Sequence, residues 1–184
     1  MAFAKGSTVL GTTDFVRSAH GDEVLIQILN DLPPSHRKLV EECAPTDEVN
    51  FDLLVDLWHA IDRHIGEVDP DWVERAGGHA IQNTGVKLYG GILRKSSPTE
   101  FLTQGVSLFR LYYRPGNMEV VEEHEEYAVL RLVGFDRADP LFCRRQTGGL
   151  RSALTEARGQ EPETSHVRCV VEGDAFCEWE ARWR

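Results

Sequence analysis

Three cysteines and a histidine near the C-terminus carry the clearest chemistry in this chain: Cys143, His166, Cys169 and Cys177. Three thiolates and one imidazole complete a tetrahedral zinc set with no position open for water. Residues Ser165 to Val171 and Ala175 to Arg182 read as two strands joined at Glu172-Gly173-Asp174. With the turn centred on Gly173, Cys169 and Cys177 stand four residues to either side and face one another at the ~4.5–5.5 Å of cross-strand neighbours. His166 lies one residue off that face and joins them only through a bend or bulge. Cys143 starts the preceding helix, which can pack against the hairpin. Two other readings stay open. Cys143 and Cys169 can be small buried apolar residues with His166 on the surface, or Cys169 and Cys177 a disulfide, which a reducing compartment disfavours.

A second group could line a pocket. His79 sits amid apolar residues on the helix of Trp72, and with Trp58, Tyr89, Phe109 and Tyr112 it would offer aromatic walls and one polar group. A small hydrophobic or aromatic molecule needs that kind of lining. The same stripes at helical spacing also serve as plain core. His59 and His64, five apart on one helix, point to different faces and read as solvent-facing or capping. Glu119, Glu122, Glu123, Glu125 and Glu126 around His124 read as a solvated strand edge that discourages strand addition. Arg144-Arg145, Arg182 and Arg184 read as scattered charges. No Walker loop, GxSxG, HExxH or dinucleotide-type glycine turn is present. A thiolate locked in a closed metal site is not free to attack, so the expectation is a protein that is not an enzyme.

The elements that must position these residues are helices first. Gly21 closes one helix and Asp22 caps the next, in which Val24, Leu25, Ile28, Leu29 and Leu32 recur at helical spacing until Pro33-Pro34. A short helical turn follows from Ser35 to Cys43. Asn50 caps a helix carrying Phe51, Leu54, Leu57, Trp58, Ile61 and Ile65, ended by Gly66. Another opens at Asp69-Pro70-Asp71, where Gly77-Gly78 lets a second backbone approach, and one more runs from Ser97-Pro98 through Val106 and Phe109 to Tyr112. The character then changes. Met118 to Val121 and Tyr127 to Phe135 alternate as a hairpin, Pro140 to Arg158 is helical, and the cysteine hairpin closes the chain. The fold class is therefore α+β, N-terminal helices packed on a mostly antiparallel C-terminal sheet. A single domain over 1–184 is expected, mainly helical to 116 and strand-strand-helix-strand-strand from 117.

Composition bounds the function. In 184 residues, 20 Lys+Arg against 30 Asp+Glu leave a net charge of -10, which disfavours a nucleic-acid partner. With 41% hydrophobic and 27% charged residues, the chain has the makeup of a folded protein. No apolar run approaches the ~20 residues of a membrane span, and Met1 to Gly11 lacks the apolar centre of a signal peptide. No membrane partner is expected, and the expected location is cytoplasmic.

The segment from Arg168 to Glu180, RCVVEGDAFCEWE, resembles the close of vinyl-reductase-type small-molecule-binding domains, the sensory half of bacterial activators that respond to phenols. Their zinc site is similar to the spacing here: Cys143, Cys169 and Cys177 fall on its cysteine positions, and His166 stands where the family usually has glutamate. Imidazole and carboxylate both bind zinc. More weakly, the rest of the chain resembles the related haem-nitric-oxide/oxygen-binding domains, through His20-Gly21-Asp22-Glu23, the Phe51 to Gly66 helix, Gly85 to Gly91, Glu100-Phe101-Leu102 and the Glu178 to Trp183 ending. It also resembles a myxobacterial group of similar length. In the haem domains a proximal His follows the Glu-Phe-Leu motif, and the matching position is Phe109. Their Tyr-x-Ser-x-Arg motif for the haem propionates falls near Leu132, Gly134 and Asp136, and none of the three residue types is retained. Phe cannot ligate iron. The resemblance thus implies a haem-less sensory domain with structural zinc, a small hydrophobic or aromatic ligand, a homodimer and a downstream protein partner. The alternative is an interaction module whose cavity has been filled by side chains.

Overall fold

The computed structural model describes all residues except 106, 107, 136 and 138, and, for residues 104 and 105, the backbone only. The order is β1 (Phe3–Lys5), α1 (Gly6–His20), α2 (Asp22–Asn30), α3 (Pro34–Glu42), β2 (Glu48–Asn50) and α4 (Phe51–Ile65). There follow α5 (Trp72–Ala80), a π-helical turn (Ile81–Gly85), α6 (Val86–Leu93), α7 (Pro98–Gly105), α8 (Leu108–Tyr112) and β3 (Tyr113–Arg114). The last part is β4 (Asn117–His124), β5 (Tyr127–Val133), α9 (Pro140–Glu156), β6 (Glu163–Arg168), a 3₁₀ turn (Val170–Glu172) and β7 (Cys177–Arg182). This is the α+β arrangement expected from the sequence.

Two antiparallel sheets result, one in the order β2-β1-β3 and one in the order β4-β5-β7-β6. The four-stranded sheet is the terminal sheet expected, with the glutamate-rich β4 at its edge. The three-stranded sheet is an addition. Its strands are two or three residues long, too short to show alternation, and it ties the N-terminus to the start of α4 and the end of α8. Asn50 caps α4 as its side chain accepts from the Asp52 N–H at 3.1 Å. Asp22 does not cap α2. Gly21 occupies that position, and Asp22 instead accepts from Arg17 Nε at 2.9 Å. The helix expected from Ser97 to Tyr112 is helical over Pro98–Gly105 and Leu108–Tyr112, and Val106 lies outside the described residues.

Helix α9 lies directly against α5 and also contacts β6 and β7. The two backbones touch at glycines. A Cβ on Gly77 would stand 2.2 Å from the Arg145 carbonyl oxygen, and one on Gly148 would stand 2.0 Å from that of Glu74. Gly77 was expected to admit a second backbone; Gly148 supplies the matching gap from α9. The core gathers Phe51, Trp58, Phe135 and Phe142 around Leu54, Leu57 and Ile61, all buried. No described helix is long and apolar enough to cross a membrane.

Candidate functional site

Asp139 caps α9 by accepting from the Leu141 N–H at 2.8 Å, with Pro140 in the first turn. This places Cys143 one turn into the helix, facing the terminal hairpin. In that hairpin Arg168 pairs with Glu178 and His166 with Trp179, so the register slips by one between them. The slip is a β-bulge, which re-aims a side chain. Beyond it, the register sets Cys169 opposite Cys177. The bulge is the bend the spacing called for, and it turns His166 onto the cysteine face. The strand then leaves the ladder in the 3₁₀ turn, reversing at Gly173 with φ 98°, a left-handed conformation that favours glycine. Asp174 holds the turn by accepting from the Cys169 N–H at 2.8 Å.

One ligand atom from each of Cys143, His166, Cys169 and Cys177 lies within 4.8 Å of the other three. The Cys143 sulfur is 3.9 Å from that of Cys169 and 3.8 Å from that of Cys177. Tetrahedral thiolates at the ~2.3 Å of a zinc–sulfur bond stand about 3.8 Å apart, whereas a disulfide needs about 2.05 Å. All four cysteines are free thiols. The cysteine left over, Cys43, is half-buried near Gly6 and apart from the cluster.

The thiols perturb one another. The hydrogen bond Cys143 shares with Cys177 pushes Cys143 upward, with burial next, while the same bond pulls Cys177 well below the usual thiol range. Burial raises Cys169, and the backbone N–H groups of Val171 and Glu172 partly offset it. Crowded, desolvated thiols of this kind favour an arrangement in which a cation takes their protons' place.

His166 is also set apart from the other histidines. His20, His36, His59, His64, His79 and His124 each have a carboxylate oxygen within 3.2 Å. The ring of His166 stacks instead on Trp179, with centroids 4.5 Å apart, and its Nε2 is buried with no hydrogen-bond partner. Behind it, Trp179 Nε1–H donates to Thr147 Oγ1 at 3.0 Å and Thr147 Oγ1–H donates to the Cys143 carbonyl at 3.2 Å. Sequence reasoning missed Thr147; its only sequence signal is that it lies one helical turn after Cys143.

The five residues expected around a pocket are not gathered at one cavity. Trp58 is fully buried in the core against Phe51 and Phe142. His79 faces outward, with Nε2 2.8 Å from an Asp14 oxygen. Tyr89 packs edge-on against Tyr112 at 5.4 Å. Phe109 and Tyr112 do line a cavity of about 80 Å³ between the helices and the sheet, together with Leu102, Met118, Leu130 and Leu150. Phe109 is itself wedged against Tyr113 and Phe135. No histidine lines this cavity among the described residues, and Asp136 lies outside them. Arg145 was expected to be a scattered surface charge, but it is only 4% exposed. It follows Phe142 at i+3 and precedes Gly149 at i+4, which was the available signal.

No family model and no curated protein matches the sequence. Solved structures do match over nearly its whole length. The Fe(II)NO-ligated H-NOX protein from S. oneidensis is similar with a TM-score of 0.74 and 16% identity, over 98% of this chain and 99% of that one. The Fe(II) unliganded H-NOX protein from K. algicida gives 0.71 and 13%, over 98% and 96%. A protein whose structure probes heme distortion in the H-NOX family gives 0.71 and 11%, over 98% and 95%. The chain has the H-NOX-like fold.

Proposed function

We propose that this protein is a non-enzymatic, haem-less sensory domain of H-NOX-like fold, stapled by a structural zinc ion and built to bind a small hydrophobic or aromatic ligand. The observation that carries the reading is the convergence of three buried thiols and an unpartnered imidazole from α9, β6, the following turn and β7 within 4.8 Å. Cys143, His166, Cys169 and Cys177 would hold the zinc, which would clamp the hairpin to the helix and leave no open position for catalysis.

Haem fits the cavity poorly. About 80 Å³ is far below the ~300–1,000 Å³ of drug-sized sites. Phe109 stands where the resemblance puts the proximal ligand. Tyr112 and Met118 line the cavity and are of types that ligate haem iron elsewhere, yet burial raises the Tyr112 phenol and opposes a phenolate. A signal would leave through protein contacts, between two copies of the chain or to a downstream protein.

The test is metal content and native mass on protein purified without chelator. One zinc per chain is expected, with Cys177→Ser losing metal and thermal midpoint together. A Cys177→Ser protein that holds its midpoint, or a wild type with no metal and four titratable thiols, would overturn the zinc reading. Iron and a haem Soret band in the purified protein would overturn the haem-less one.

A further inference from the structure

Four buried side-chain nitrogen or oxygen atoms without a hydrogen-bond partner meet in one place: Ser7 Oγ, Thr8 Oγ1, Tyr112 OH and Arg145 Nη1. All four residues line a small cavity of about 60 Å³. Buried polar groups are satisfied in nearly all native structures, so such a gathering asks for a missing partner. Its chemistry is one-sided: a guanidinium, which donates only, and three hydroxyls, which can each turn a proton inward. The adjacent Arg144 reaches Asp71 and Glu74 on the surface. Arg145 enters no ion pair among the described residues, and the one favourable contact it shows is the face of Trp58, 5.8 Å from the guanidinium carbon to the ring centroid. A cation–π contact at that distance does not replace the hydration a buried charge gives up. Ser7 and Thr8 lie in the first turn of the 15-residue α1, which carries no acidic residue; the Gly6 and Ser7 N–H groups there already donate to the Asp47 and Pro45 carbonyls, so it is the side chains that face the cavity unpaired.

This polar cavity does not stand alone. It adjoins the apolar cavity described above, and the two share Ile81, Tyr112, Tyr113, Gln146 and Gly149. Ile81 belongs to the π-helical turn, as does Thr84 on the polar wall, and such turns recur at functional sites. Gly85 closes that turn, and a side chain there would meet the Tyr112 hydroxyl at 3.3 Å. Its absence leaves the hydroxyl room beside the cavity.

We propose that Arg145, with the Ser7, Thr8 and Tyr112 hydroxyls, is the carboxylate-binding end of a pocket for a small organic acid, whose ring or short apolar chain occupies the space lined by Leu102, Phe109 and Leu130. This rests on the ligand-binding reading above and narrows it to a class: an anion at one end, hydrocarbon at the other. A ligand of this kind satisfies the orphaned donors and fills the apolar space together. A phosphate would leave the apolar end empty, and a neutral aromatic would leave the guanidinium unpaired.

The test is calorimetric titration of the full-length zinc-loaded protein with benzoate and hexanoate, against benzyl alcohol, hexanol and inorganic phosphate. At least one acid should bind with one site per chain and more tightly than its alcohol. Arg145→Met, which keeps the bulk of the stem and removes the charge, should weaken the acid about ten- to a hundredfold and leave the alcohol unchanged. Tyr112→Phe, a deletion of one oxygen, serves as the second variant and should also weaken the acid. Acid and alcohol binding equally, or an acid affinity unmoved by both variants, overturns the acid assignment and leaves a general apolar pocket. Phosphate binding as tightly as the acids overturns the organic class. If no probe binds, this assignment and the ligand-binding reading fall together.

Discussion

Thr147 links three parts of the terminal sheet region with one residue. Its hydroxyl accepts from Trp179 and donates to the Cys143 carbonyl, while its own carbonyl accepts from Thr164 Oγ1–H at 2.9 Å. The Trp179 ring so held is the surface on which His166 stacks. Thr147→Val keeps the shape and strands the buried indole N–H, which should cost about 1–3 kcal/mol. Urea denaturation should show a lower midpoint at unchanged slope, and a loss below ~0.5 kcal/mol would mean the hydroxyl is dispensable. At this scale the cysteine cluster was legible, because type and symmetry about Gly173 combine into one geometric statement. Even the bulge at His166 was legible as a requirement. Arg145 and Thr147 were not, since charged and hydroxyl side chains are mostly exposed and a sequence reading puts them outside by default.

Between elements, α5 lies on α9 at backbone contact, and glycine sets it. Gly148→Ala would drive its methyl into the Glu74 carbonyl, which is backbone and cannot swing aside. The helices must separate, at about 1–3 kcal/mol for an overpacked contact, although alanine is otherwise the better helix former. Gly91→Ala makes the same chemical change in α6, where nothing lies within 4 Å of the added carbon, and should be neutral or stabilising by up to about 1 kcal/mol. Thermal melts of the two variants should therefore move in opposite directions; a shared sign would remove the close-contact argument. Helices such as α4 and hairpins such as β4–β5 announce themselves by period. Strands β1, β2 and β3 do not, since two or three residues cannot establish an alternation and their pairing depends on partners far along the chain.

At the scale of the whole molecule the order of helices and strands was enough for the fold class, and the likeness to H-NOX structures at 11–16% identity shows how little residue identity that class requires. What the order does not convey is that one helix contributes both to the cysteine cluster and to the two adjoining cavities. Cys143 belongs to the cysteine cluster, while Arg145, Gln146 and Gly149, within the next two turns of α9, line the adjoining cavities. A helix moves as a rigid body more readily than it bends, so a change in how the hairpin grips its start is felt at the cavity wall. Metal and acid should then be thermodynamically coupled, and coupling is reciprocal. Stripping zinc should weaken benzoate binding by about 5-fold or more, and saturating benzoate should raise zinc affinity by the same factor, read by competition with a chromogenic chelator. Both arms must agree, because a loss of acid binding without the return effect on zinc would signal unfolding of the metal-free protein and not communication between sites. Equal benzoate affinity with and without zinc would make the metal a staple for the hairpin alone, and α9 a wall that the staple does not reach.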